Sequence, residues 1–418
     1  MKFLGNTGHE AVKNSSKGAR KGTPLPYPET NVTMRHMGGA SPCGRPGPIA
    51  HLGIVLPIVM GILLLSACDS AIGTSGTLPI ANGGKGCTKV GILLPETASS
   101  DRWETKDHPL LIQAIKAAIP NVQIDYTNAH DSSATELSQA EADLTNGDCI
   151  LVVGAHDSVA AAAIVVKAKA QNVPVIAYDR LIQSKDVSYY VSFNNVKVGQ
   201  LQAQYIANHY QQYQRTGPVS MVMISGSQTD TNALLFSQGA HSVLDPLFAA
   251  GSLKNVYENF TPDWNNSTAQ SEMESALSDQ TNNIQIAYAA NDGLANSMIT
   301  ALNAVNLGGK VLVTGQDATV TGIHNILAGQ QSMTVYKPIA KEAQSVGSLV
   351  KAIYSGTSAT ALTQGATTDT FDGGNIPSIL DTPIAVDRAN IAPTVIVDGF
   401  IKKGDVCEGI PAGTAGVC

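Results

Sequence analysis

The stretch VPVIAYDRLI, Val173 to Ile182, sets an acid and a base side by side at the end of an apolar run. Val173 to Ala177 read as a strand buried on both faces, so Tyr178, Asp179 and Arg180 emerge where the chain leaves the core. Open α/β sheets bind their ligands at such strand ends. Similar residues recur after other predicted strands. SSDRWE brings Arg102 and Trp103, TDTNA brings Asn232, PDWNN brings Trp264, AANDG brings Asn291 and Asp292, GQDA brings Asp317, and VYKP brings Lys337. Both tryptophans of the chain are in this set.

Carboxylates that only accept hydrogen bonds and cations that only donate them suit a ligand whose hydroxyls do both. A tryptophan plane suits the apolar C–H face of a ring. Each residue also has an ordinary structural reading: a tryptophan in the core, an Asp as helix N-cap, an adjacent Asp-Arg as a solvated pair. An enzyme is a second reading, because Asp179 and Asp317 could face each other as glycosidase carboxylates do. The nearby Arg and Lys residues would hold both ionised, whereas an acid catalyst must keep a proton. No G-x-S-x-G elbow, metal-ligand cluster or phosphate loop is evident, so no cofactor or metal is expected. His156-Asp157-Ser158 reads as a surface loop.

The elements that position these residues alternate between strand and helix. Strands are expected at Val90 to Leu94, Gln123 to Thr127, Ile150 to Gly154, Val173 to Ala177 and Tyr189 to Phe193. Helices such as His108 to Ala118 and Ser133 to Asn146 lie between. After a helix at Lys197 to Tyr213, a second series has strands at Val219 to Ser225, Asn255 to Phe260, Ile286 to Ala290 and Val311 to Gly315. Its helices are expected at Thr231 to Leu244, Thr268 to Asp279 and Leu294 to Val305. MTVYKP, a helix from Ile339 to Tyr354, a polar stretch and a final apolar strand PTVIVDGFI complete the chain. If that helix rejoins the first series and the last strand the second, the chain crosses between two lobes three times, which makes a hinge.

With 418 residues, 43% hydrophobic and 14% charged, the chain is long enough for two globular lobes. Its first 67 residues are basic, rich in Gly and Pro, and end in a 16-residue apolar run, Leu52 to Ala67. That length suits a signal-peptide core, and Leu65-Ser66-Ala67-Cys68 looks like a bacterial lipobox that would leave a lipid on Cys68. An uncleaved membrane anchor is the alternative. Residues 68–86 have the composition of a flexible tether. The leader holds seven of the 26 basic and two of the 33 acidic residues, which leaves 19 and 31 and a net charge of −12 for the exported part. Such a surface does not suit nucleic acid.

Cys87, Cys149, Cys407 and Cys418 are then left in an oxidising compartment, where four cysteines allow three pairings. Cys87 precedes KVGILLP and Cys149 precedes ILVVGA. If these are first and third strands of a doubly wound sheet, they are neighbours aligned at their starts, which favours Cys87 with Cys149 and Cys407 with Cys418. Free buried thiols are the other possibility.

SSDRWE, VIAYDRLI, YVSFNNVKVGQLQA, AANDG, VTGQDA and MTVYKPI, in this order and spacing, resemble the periplasmic xylose-binding protein family, the type I sugar-binding proteins of ATP-driven importers. The resemblance spans about Lys89 to Phe400. It implies an α/β fold of two doubly wound parallel-sheet, Rossmann-like lobes joined by a three-strand hinge. Residues 88–195 plus 336–380 would form the N-terminal lobe, and 196–335 plus 381–418 the C-terminal lobe. Arg102, Asp179, Arg180, Asn232, Asn291, Asp317 and Lys337 match positions that contact sugar hydroxyls; Trp103 and Trp264 match ring-stacking positions. The implied partners are a monosaccharide, the membrane permease of an importer, and the membrane itself through the lipid, with the protein a monomer. The sequence departs from the family at VGAHDS, where His156 and Asp157 replace Tyr-Asn. It departs again at LLPETAS, where family members carry acidic residues after the first strand. A sugar sensor that presents its closed form to a membrane receptor is a further reading. A sugar-responsive transcription regulator would need a helix-turn-helix segment where the lipobox and tether stand.

Overall fold

KVGILL, Lys89–Leu94, is β1, and its side chains divide between two cores as the period of a strand requires. Val90, Ile92 and Leu94 enter one apolar cluster and Leu93 another, on opposite faces of the sheet. The computed structural model describes residues 83–418. The leader, Cys68 and the tether up to residue 82 lie outside the described residues.

The first sheet contains β1, β2 (Gln123–Asn128), β3 (Ile150–Val153), β4 (Val175–Tyr178) and β5 (Tyr189–Phe193). The second contains β6 (Val219–Ser225), β7 (Leu253–Phe260), β8 (Ile286–Ala289) and β9 (Leu312–Val313). They are followed by β10 (Met333–Tyr336), β11 (Thr367–Asp369), β12 (Asn375–Asp381) and β13 (Ile384–Asp387). The helices are α1 (His108–Ala118), α2 (Ser133–Asn146), α3 (Ala162–Ala170), α4 (Asn195–His209), α5 (Thr231–Ala249), α6 (Asn266–Asp279), α7 (Asp292–Ala304), α8 (Val320–Leu327) and α9 (Ile339–Ser355). One sheet has the order β11-β12-β5-β4-β3-β1-β2 and another β7-β6-β8-β9, while β10 pairs with β13. All pairings in the two large sheets are parallel except β11 with β12. Each sheet is thus a doubly wound lobe.

Three connections join the lobes: β5 to α4, β10 to α9, and β12 to β13. Asn194 in the first donates its N–H to the Asp381 carbonyl in the third at 2.9 Å, so these two crossings are tied side by side.

The chain end differs from the sequence expectation. PTVIVDGFI is not a strand: Ala392–Ile396 forms a helical turn. Ile391 and Val395, four apart, are both buried in a small core with Ile401, Val406 and Val417, while Val397 is 79% exposed. A short apolar run fits either period, and here the helical one wins. The strand that rejoins the second lobe is β13, antiparallel to β10. The polar stretch before it contains β12, parallel to β5. Cys87 and Cys149 are disulfide-bonded with Cα atoms 5.5 Å apart, and Cys407 is bonded to Cys418. Among the described residues, no helix is long and apolar enough to cross a membrane.

Candidate ligand-binding cleft

The strand ends of both lobes converge on one small cavity. Arg102, Trp103, Asp179, Arg180, Asn232, Trp264, Asn291, Asp317 and Lys337 all line it. So do Glu96, Ser99, Ser100, Asp230, Phe236 and Gln316, which the sequence reading did not single out.

Asp179 stands at the centre. Leaving β4, the backbone turns to φ +57° at this residue, a conformation unfavourable for a side chain with a Cβ. Its carbonyl accepts from Tyr190 Oη at 3.0 Å, Ser192 Oγ at 2.7 Å and Asn232 Nδ2 at 3.1 Å, which over-determines the turn. Its Oδ2 accepts from Arg102 at 3.0 Å and Lys337 at 2.9 Å, and its Oδ1 from Asn232 at 2.9 Å. One carboxylate thereby links the first lobe, the second lobe and the hinge. Burial alone would raise its pKa, but Arg102 and Lys337, then Arg180, hold it well below the usual carboxylate range.

Arg102 is itself aimed by Asp107, which accepts from its Nε at 2.9 Å and its Nη2 at 2.6 Å. Arg180 Nε lies 3.0 Å from Asp230, and its Nη2 3.5 Å from Glu96. The two indoles are pinned likewise, Trp103 Nε1 donating to Glu96 at 2.8 Å and Trp264 Nε1 to Asp230 at 3.1 Å. The guanidinium carbons of Arg102 and Arg180 lie 4.6 and 5.1 Å from the Trp103 ring centroid. Phe236 meets Trp264 edge to face at 6.3 Å. Asn291 caps α7, accepting from Leu294 N at 2.9 Å, and Ser100 Oγ donates to Asp317 at 3.2 Å.

Two sequence readings need correction. Asp317 is not held ionised as firmly as Asp179: burial raises its pKa against the pull of Lys337 and Arg102. LLPETAS does carry an acid into the cleft, because the loop after β1 folds Glu96 back onto Ser99 N at 2.8 Å and onto Trp103. Asp292 is buried outside the cavity lining and accepts from Thr319 N, Thr334 Oγ1 and Gln331 Nε2 at 2.8 to 2.9 Å, bracing the loop that carries Asp317.

The lobes meet around the cavity. Ser158 N donates to Thr229 O at 2.9 Å, Gln183 Nε2 to Thr231 Oγ1 at 2.9 Å, and Asn266 Nδ2 to Ala98 O at 3.2 Å. A Cβ on Gly293 would stand 2.5 Å from Ser99 O, so this contact depends on a residue without one.

His156 and Asp157 do not line the cavity. Asp157 accepts from Val159 N and Ala160 N at 2.8 and 2.9 Å, while His156 N donates to Glu136 at 3.0 Å. Burial pushes Glu136 from 4.5 up to about 8, against the opposing His156 N–H and Arg180. The folded state therefore keeps a proton that the unfolded chain loses, so this group's contribution is full below about pH 4.5 and declines as pH rises to about 8. Glu136→Gln should flatten that decline, by up to about 1.4 kcal/mol per pH unit, in urea unfolding compared at pH 5 and pH 8. An unchanged slope would reject the assignment.

The sequence matches the family described as periplasmic binding protein domain over residues 90–358. It is 35% identical over 326 residues to the D-xylose-binding periplasmic protein of Haemophilus influenzae, covering 76% of this chain and 92% of that one. Against the D-xylose-binding periplasmic protein of Escherichia coli it is 34% identical over 346 residues, covering 82% and 98%. The solved carbohydrate transporter solute binding protein of Chloroflexus aurantiacus, in complex with D-glucose, matches with TM-score 0.66 at 30% identity, covering 76% of this chain and 97% of that one. With two doubly wound lobes, three crossings and a cavity built from both lobes' strand ends, the chain belongs to the periplasmic binding proteins of type I, in the xylose-binding protein family.

Proposed function

We propose that this protein captures a neutral monosaccharide, xylose or a related aldopyranose such as glucose, between its lobes and delivers it to an ATP-driven importer. The observation that carries this reading is the charge pattern of the cavity. Arg102, Arg180 and Lys337 stand among Glu96, Asp179, Asp230 and Asp317, with Trp103 and Trp264 beside them. Alternating donors and acceptors satisfy hydroxyls without favouring a charged ligand. The sugars named for the relatives above agree with it. The function is binding without chemistry, performed by a monomer.

Calorimetric and thermal-shift screening of the purified full chain against aldopentoses, aldohexoses and sugar acids tests the proposal. A neutral aldopyranose should bind one to one, raise the melting temperature by mass action and return unaltered. Preference for sugar acids, or recovery of a hydrolysed or oxidised sugar, would refute it.

Export and a lipid on Cys68 would place the binding site beside the permease. Mass spectrometry of the membrane-bound protein should find Cys68 as a lipidated N-terminus, and a retained leader without lipid would contradict the anchor.

A further inference from the structure

A second group of acids lies at the opposite end of the first sheet from the cleft. Asp125 is on the edge strand β2, Asp143 in the last turn of α2, and Asp148 just before β3. One oxygen from each lies within 4.8 Å of the other two. The sequence shows no such cluster, because its members come from three elements that only the sheet order brings together.

Two further observations point to a ligand. Asp143 and Asp148 are 3% and 2% exposed, yet Asp143 Oδ2 and both oxygens of Asp148 accept no hydrogen bond. Both also converge on one spot. Gly91 on β1 is in register with Asp125, and a Cβ there would lie 2.8 Å from both Asp143 Oδ2 and Leu151 Cδ2 and 3.1 Å from Asp148 Oδ2, so the two carboxylates are packed together over a residue that has no side chain. Lys89 answers only part of this charge: its Nζ lies 2.9 Å from Asp125 and 3.6 Å from Asp148 Oδ1, and it donates to Asn146 O at 3.2 Å. Buried carboxylates left so far from balance are costly unless a cation or a proton joins them.

We propose that Asp125, Asp143 and Asp148 bind a hard divalent cation of the calcium type between their carboxylates. Carboxylate oxygens are the donors such ions take, at about 2.3 to 2.6 Å, so two oxygens on one ion stand no more than about 5 Å apart. The Lys89 ammonium is displaced toward solvent when the ion enters. The ion ties β2 to the α2–β3 turn, next to the Cys87–Cys149 bridge, and stabilises the first lobe from the end remote from sugar.

The test uses the purified full chain, stripped with chelator and then given CaCl2, MgCl2 or MnCl2 in calorimetric and thermal unfolding experiments. One ion should bind per chain and raise the melting temperature in a saturable way, with sugar affinity unchanged. Asp148→Asn should weaken cation binding at least about tenfold, since ligand charge sets affinity in such sites. Lys89→Met, which removes the competing ammonium, should strengthen it. Asp148→Asn lowers the uncompensated charge, and Lys89 is partly exposed and outside the hydrophobic core, so circular dichroism should show both variants folded. The proposal fails if none of the three cations binds, or if the gain persists undiminished in the double variant Asp125→Asn/Asp148→Asn.

Discussion

Asp179→Ala is expected to weaken monosaccharide binding by at least roughly a hundredfold, because removing one partner of a buried ion pair costs about 3 to 5 kcal/mol. The reason is the position of this carboxylate between the two lobes and the hinge. It joins Arg102 of the first lobe, Asn232 of the second and Lys337 of the hinge. Without it, the closed arrangement brings Arg102 and Lys337 together with only Asp107 and the more distant carboxylates of Asp317 and Glu342, 3.7 and 3.6 Å from Arg102, to offset them, and the sugar loses a hydroxyl acceptor. The lobes themselves keep their cores, since Asp107 still holds Arg102. Calorimetry should therefore show lost affinity while circular dichroism stays native. Wild-type affinity in this variant would remove Asp179 from the centre of the site.

The second large effect falls on stability. Cys87 and Cys149 close a loop across a sequence separation of 62 residues. In the loop-entropy model, opening it by Cys87→Ser/Cys149→Ser costs about 4 kcal/mol, mainly through a freer unfolded chain. Equilibrium unfolding in guanidinium should show that loss with sugar affinity intact, because the bridge sits at the strand starts and the cleft at the strand ends. A loss below about 1 kcal/mol would show that the unfolded chain is already constrained there.

The apolar runs made the first five strands legible, and the polar residues following them pointed to one cavity. The residues missed are those with two roles. Asp230 caps α5 by accepting from Asn232 N at 2.9 Å, which is all that local sequence can reveal. Its other oxygen meets Trp264 of the same lobe and Arg180 of the first lobe, and the second of these contacts depends on two lobes coming together. Glu96 is similar, since nothing in Pro95-Glu96-Thr97 shows that the loop turns back over Trp103. The chain end was misread for a different reason: Ile391, Val395 and Ile401 form a small core of their own, so their apolar run is read by a helix rather than by the sheet.

In the proposed function, closure around a neutral sugar is selected by groups contributed from both lobes and the hinge. Titration calorimetry of the full chain with D-xylose and D-glucose, repeated on Asp317→Ala, tests it most directly. One site per chain is expected for at least one of these sugars in the wild type. Affinity should be at least roughly tenfold weaker in Asp317→Ala, the loss of one charge-assisted hydrogen bond. Absence of binding to both sugars by the wild type, or equal affinity in the variant, would contradict it.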